Sequence, residues 1–134
     1  SERWEDYPIV YVPETVTQDA ALATRLDAFE AAGGRIVLEM PASEASPFER
    51  AFCRFDPGSA GSLPASDHVI YERGVRVRPQ PGDTVLASVV EPYFERTWDH
   101  FCSHAQTPSR LEASEFAAAL VRGRRALLPF PVLR

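Results

Sequence analysis

Residues 8–40 read PIVYVPETVTQDAALATRLDAFEAAGGRIVLEM, and this stretch decides the fold expected of the chain. Ile9–Val12 is a short apolar, β-branched run that Pro13 stops, the mark of a strand buried on both faces. Thr15 with Gln18, or Thr17 followed by Asp19, can cap a helix start. Leu22, Leu26 and Phe29 then fall at i, i+4 and i+7, one face of a helix, and Gly33-Gly34 supplies the left-handed position that ends it. Arg35–Glu39 follows as a second strand, closed by Met40-Pro41. Strand, helix, Gly-Gly, strand is a βαβ unit, so the two strands are expected to be parallel neighbours. The segment after Glu39 then lies at the carboxyl end of a strand, where open α/β sheets place ligands.

Beyond that unit, Ala42–Asp67 holds Pro47, Pro57, Pro64, Gly58, Gly61 and five serines. It reads as a long irregular excursion with a short helix around Phe48–Phe55. His68–Tyr71 and Val75–Arg78 are expected to be extended about Gly74, and Asp83–Val90 to form a further strand after the turn Pro79-Gln80-Pro81-Gly82. Phe116–Val121 and Arg124–Leu128 flank Arg122-Gly123 as a hairpin. No internal repeat or low-complexity segment is present.

The composition bounds the function. At 134 residues the chain is one domain's worth, and residues 1–134 are expected to form a single α/β domain. Its net charge is −5 with no long run of either sign, which disfavours nucleic acid and acidic lipid as partners. All 14 basic residues are arginine, so Schiff-base chemistry and lysine-dependent phosphate motifs are excluded. Two cysteines, Cys53 and Cys102, are too few for a disulfide framework. There is no apolar run near the ~20 residues of a membrane helix, and SERWEDYP has no leader character, so a cytoplasmic location is expected.

Chemistry-bearing side chains concentrate in Pro92–Pro108, PYFERTWDHFCSHAQTP. Tyr93, Phe94, Arg96, Trp98, Asp99, His100 and His104 are the candidate binding or interface residues. Aromatic faces backed by arginine and carboxylates suit a protein interface, and Tyr93 with Trp98 equally suits sugar stacking. His100, Cys102 and His104 would share one face of a strand and could serve a small metal- or thiol-dependent hydrolase. The glutamate of H-E-x-x-H is absent, however, since that position is Phe101, and there is no C-x-x-C pair. Glu91, Glu95 and Asp99 are spaced for one helix face, but Pro92 breaks such a helix. No catalytic residue, metal ligand or cofactor-binding residue is therefore assigned, and no cofactor is expected.

DYPIVYVPE (6–14) leading to EAAGGRIVLEM (30–40) resembles the class I glutamine-amidotransferase-like, flavodoxin-like domain that accompanies the catalytic barrel of bacterial glycoside hydrolases, best known as the β-galactosidase trimerisation domain. GDTVLASVVEPYFERTWDHFCSHAQTP (82–108) with RGRRALLPFPV (122–132) is similar to the version attached to α-L-fucosidase-like glycosidases. The resemblance implies a three-layer, flavodoxin-like α/β fold with a mostly parallel sheet and a C-terminal hairpin. It implies a non-catalytic accessory or oligomerisation role, with self-association or a neighbouring glycosidase barrel as partner and carbohydrate as a further candidate. Amidotransferases carry their cysteine in a G-x-C-x-G turn, whereas Cys53 sits in F-C-R, Cys102 in F-C-S, and Ser43 also lacks flanking glycines. No catalytic residue carries over from the family. A full domain of this kind would extend before Trp4 and after Val132, so the chain is expected to be a segment of a longer protein.

Overall fold

The computed structural model describes residues 3–40, 47–59, 61–62, 64, 66–92 and 110–132. Its opening follows the βαβ pattern. A 3-10 turn at Trp4–Asp6 leads into β1 (Ile9–Val12), α1 (Ala20–Ala31) and β2 (Arg35–Glu39), with β1 and β2 parallel and Val10 opposite Ile36. Asp19, rather than either threonine, caps the helix, its Oδ1 accepting from the Leu22 amide at 2.8 Å. At the other end Gly33 takes φ +95°, and the amides of Gly33 and Gly34 donate to Glu30 O and Phe29 O, each at 2.9 Å. These two bonds are those of a Schellman motif, and they satisfy carbonyls that the helix end leaves open. Leu26 and Phe29 pack on Val12, Ile36 and Leu38, with Trp4, Val10, Leu22 and Leu127 at the margin.

From Glu39 onward the architecture departs from a flavodoxin-like α/β domain. The remaining strands are β3 (Pro47–Phe48), β4 (Ala51–Phe55), β5 (Asp67–Ile70), β6 (Gly74–Val75), β7 (Thr84–Val90), β8 (Ala117–Arg122) and β9 (Arg125–Leu128). They build a seven-stranded sheet in the order β1-β2-β9-β8-β7-β4-β5, with β3 and β6 pairing separately. Only β1–β2 and β2–β9 are parallel; β9–β8, β8–β7, β7–β4 and β4–β5 are antiparallel. Among the described residues α1 is the one α-helix. The expected three-layer, mostly parallel, flavodoxin-like and amidotransferase-like fold is therefore corrected to a mainly β, mixed sheet with a helix on one face of its parallel end.

The physical reason lies in the connections. A parallel crossover needs a dozen or more residues, usually carrying a helix, and a second helix is needed to cover the other face. After β2 no segment among the described residues supplies an apolar stripe of helical period, and prolines punctuate the chain, 12 in all. The segment expected to hold a short helix at Phe48–Phe55 instead forms β3 and β4, where Ala51, Phe52 and Cys53 are buried. The hairpin β8–β9 turns through Gly123, whose φ is +60°, and hands β9 back to β2 as its parallel neighbour.

A second core occupies the antiparallel half. Phe48, Ala51, Cys53, Ile70, Ala87, Val89 and Ala118 are buried together, flanked by Phe55, Phe116, Ala119 and Phe130. On β8, Ala117, Ala118 and Leu120 are all at or below 1% exposure, so both faces are covered at the middle of the sheet. The β3–β6 pair closes one edge of this core through Phe48 and Gly74. A methyl group on Gly74 would lie 2.4 Å from the Phe48 ring and 2.7 Å from the Pro129 carbonyl oxygen, so only glycine lets the three segments meet.

Candidate functional site

The strand directions bring one end of the sheet together from distant parts of the chain. β1, β2 and β9 finish there, β7 and β5 finish there, and β8 and β4 start there, because Leu128 pairs with Glu39, Phe52 with Val90 and Ala51 with Ile70. The connection between β7 and β8, residues 91–116, emerges from this end. It contains the aromatic segment singled out above. Tyr93, Phe94, Arg96, Trp98, Asp99, His100, Cys102 and His104 all lie outside the described residues. What is described is the base of the connection, its two ends at residues 91–92 and 110–116.

That base is tightly bonded. The Arg110 amide donates to Glu91 O at 3.1 Å, and the Ser114 amide and hydroxyl both donate to Val89 O, at 2.8 and 2.6 Å. The two ends of the connection therefore return to one place. Arg76 clamps Glu91 with both ends of its guanidinium, Nε to Oε1 at 2.8 Å and Nη2 to Oε2 at 3.3 Å, and its Nη1 donates to Pro47 O at 2.5 Å. Arg54 holds Asp67 in the same bidentate way, at 2.6 and 3.0 Å, and donates to Leu111 O at 3.0 Å. Such fork-to-carboxylate pairs fix geometry as well as charge. Beside Glu91 lies a cleft of about 660 Å³ also lined by Arg110, Leu111, Glu112, Ala113 and Ser114. Leu111 on its rim is 94% exposed, an apolar side chain presented directly to solvent.

A second feature at the same end escaped the reading of the sequence. Glu39, 1% exposed, is the buried acid that closes β2. Its Oε1 accepts from the Tyr11 hydroxyl and from the Val132 amide, the latter at 2.6 Å, and its Oε2 accepts from the Glu14 amide at 3.0 Å. The carboxylate thus ties together β1, the turn after it, β2 and the chain leaving β9. A buried carboxyl group is tolerated when its oxygens are met by this many donors. The signal in the sequence was slight: one acid following the apolar run Ile36–Leu38. The partners of Arg54 and Arg76 left no such mark, because 13 and 15 residues separate each pair.

The thiol reading at Cys102 falls outside the described residues, and the cysteine among them is Cys53. That side chain is buried in the antiparallel core, and burial first, then the charge of Asp67, raises its pKa above the ordinary thiol value. Among the described residues no three His, Cys, Asp or Glu side chains gather as a metal site, and no helix is long and apolar enough to cross a membrane.

No model of a protein family matches the chain, and no curated protein matches it in sequence. Its fold, by contrast, has a solved counterpart. Alpha-L-fucosidase isoenzyme 2 from Paenibacillus thiaminolyticus superposes with a TM-score of 0.78 at 20% identity, over 96% of this chain and 22% of that chain. The likeness is one of fold. It covers nearly the whole of this chain and spans about a fifth of the fucosidase.

Proposed function

We propose that residues 1–134 are a non-catalytic accessory domain of a glycoside-hydrolase type of enzyme, and that the end of the sheet bearing residues 91–116 is its contact surface. The observation that carries this reading is the proportion of the match: 96% of this chain against 22% of a fucosidase. A unit of that relative size is one part of a larger enzyme rather than the whole of it. The base of the 91–116 connection supports a contact role, since paired arginines hold it rigid and Leu111 stands exposed on its rim. Ordered ends lower the ordering cost of binding, and an exposed aliphatic side chain such as Leu111 supplies apolar area to bury. The occupant is a second copy of the domain or a neighbouring barrel.

Two measurements on the isolated chain test the reading. Incubated with nitrophenyl glycosides, α-L-fucoside included, the chain is expected to give no turnover; saturable hydrolysis by the chain alone would overturn the non-catalytic role. In light scattering after gel filtration the chain is expected to self-associate, and Leu111→Asp and Trp98→Ala are expected to shift it toward monomer without lowering its melting temperature. A monomer at every concentration leaves the barrel as partner. If that monomer also binds no glycosidase barrel added in trans, the contact role fails.

A further inference from the structure

At the opposite end of the sheet, where β1 and β2 begin, the turn Trp4–Asp6 lies against the last turn of α1 and leaves a cleft of about 580 Å³. Its back wall is Trp4, which meets Phe29 edge-on with ring centroids 6.1 Å apart and planes at 87°. The Arg25 guanidinium lies 3.9 Å from the Trp4 ring centroid. Tyr7, 62% exposed, stands at the mouth. The floor is made of Ala28, Ala32, Gly33 and Gly34, none larger than a methyl group. That floor is set by the helix ending: a Cβ on Gly34 would sit 2.3 Å from the Phe29 ring, so nothing bulkier fits between helix and strand.

Packing accounts for part of this. Trp4 covers Phe29 at the margin of the helix-side core, and Arg25 covers Trp4. Packing does not account for Tyr7, exposed beside a shallow, small-residue floor with the carboxylates of Glu5 and Asp6 in the same lining. We propose that this cleft binds a neutral pyranose sugar. A pyranose has an apolar C–H face that stacks on an aromatic ring, and hydroxyls that both donate and accept. Carboxylates accept from those hydroxyls and a guanidinium donates to them, a mixed set that Glu5, Asp6 and Arg25 provide. Two acids against one arginine, on a chain of net charge −5, disfavour phosphates and other anions. The volume falls within the range of about 300–1,000 Å³ typical of small-molecule sites. The proposal does not depend on the accessory role, since the cleft is lined by residues 4–8 and 25–34, at the end of the sheet opposite Glu91 and Arg110.

The test is a titration of the isotope-labelled chain followed at the Trp4 indole N–H, identified by its loss in Trp4→Phe and so kept separate from Trp98. The probes are methyl glycosides of L-fucose, D-galactose and D-glucose, with lactose and cellobiose. At least one is expected to shift the Trp4 resonance saturably with Kd about 1 mM, and inorganic phosphate is expected not to. Tyr7→Ala and Arg25→Gln should each weaken the sugar at least about tenfold, about 1.4 kcal/mol. If Tyr7→Ala fails to fold, Asp6→Ala, also at an exposed position, takes its place. No saturable shift with any of the sugars, a shift the variants leave unchanged, or saturation by phosphate would each overturn the proposal.

Discussion

Single side chains in this protein act mainly by pinning chain segments that lie far apart in sequence. Asp83, just before β7, accepts Arg122 Nε and Nη2 at 2.8 Å each and the Gln80 amide at 2.8 Å. The Arg122 hydrogen bonds first, and the Gln80 amide second, hold its pKa down to about 2 from an ordinary 3.8. A depressed carboxylate stabilises the fold above its unfolded pKa and loses that contribution as pH falls toward the folded one. Melting temperatures of the wild type and Arg122→Gln should therefore differ at pH 6 and converge as pH falls from about 4 to about 2. Cys53 gives a second residue-scale expectation. In a Cys102→Ser background it should resist thiol reagents in the native state and react at once in denaturant; fast native labelling would contradict its burial and raised pKa. For Glu39, replacement by leucine strips the acceptor from the Tyr11 hydroxyl and from the amides of Glu14 and Val132. These donors are only part-buried, Val132 being exposed, so the loss should be smaller than the full cost of about 1–3 kcal/mol per buried donor, and urea denaturation should show a loss of about 1 kcal/mol or more.

Among the elements, the helix and the small β3–β6 pair perform the same task on different halves of the sheet. α1 covers Val12, Ile36 and Leu38, and Phe48 of β3 packs with Cys53, Ile70 and Val89. Each depends on a glycine that permits close approach, Gly34 under Phe29 and Gly74 under Phe48. Gly74→Ala should be the more damaging of the two. Its Cβ meets backbone at Pro129 as well as a ring, and backbone moves less readily than a side chain; for Gly34→Ala the nearest atoms are those of the Phe29 ring. Overpacking of this kind costs about 1–3 kcal/mol, readable as a lower denaturant midpoint with an unchanged slope. The helix and its closing glycines were legible in the sequence because their determinants are local, a period of 3.6 and a Gly-Gly stop; the cap was not, since Asp19 takes the place expected of Thr15 or Thr17. β4 was not, because AFCRF carries no alternation and its strand identity comes from the partners, β5 and β7, on either side.

On the scale of the whole molecule, the mixed sheet joins a parallel edge to an antiparallel one through β9. Hydrogen exchange should follow that order, slowest in β7 and β8, where Val89, Val90, Ala118 and Leu120 are at or below 1% exposure, and fastest in the edge strands β1 and β5. The same topology gathers the 91–116 connection and Glu39 at one end, and the Trp4–Tyr7 cleft at the other. By itself the sequence determined the βαβ opening, the C-terminal hairpin signal, an acidic, lysine-free composition and the segment richest in binding chemistry, all of them properties of neighbouring residues. Tertiary structure alone decided which strand lies beside β2. The flavodoxin-like expectation was a mostly parallel sheet, whereas β9, some 90 residues after β2, pairs with it with Ile36 opposite Arg125, and from β9 through β8 the sheet turns antiparallel. Strand order is set by which apolar faces and unpaired backbone groups can be satisfied together, and that sum runs over the folded chain rather than along it.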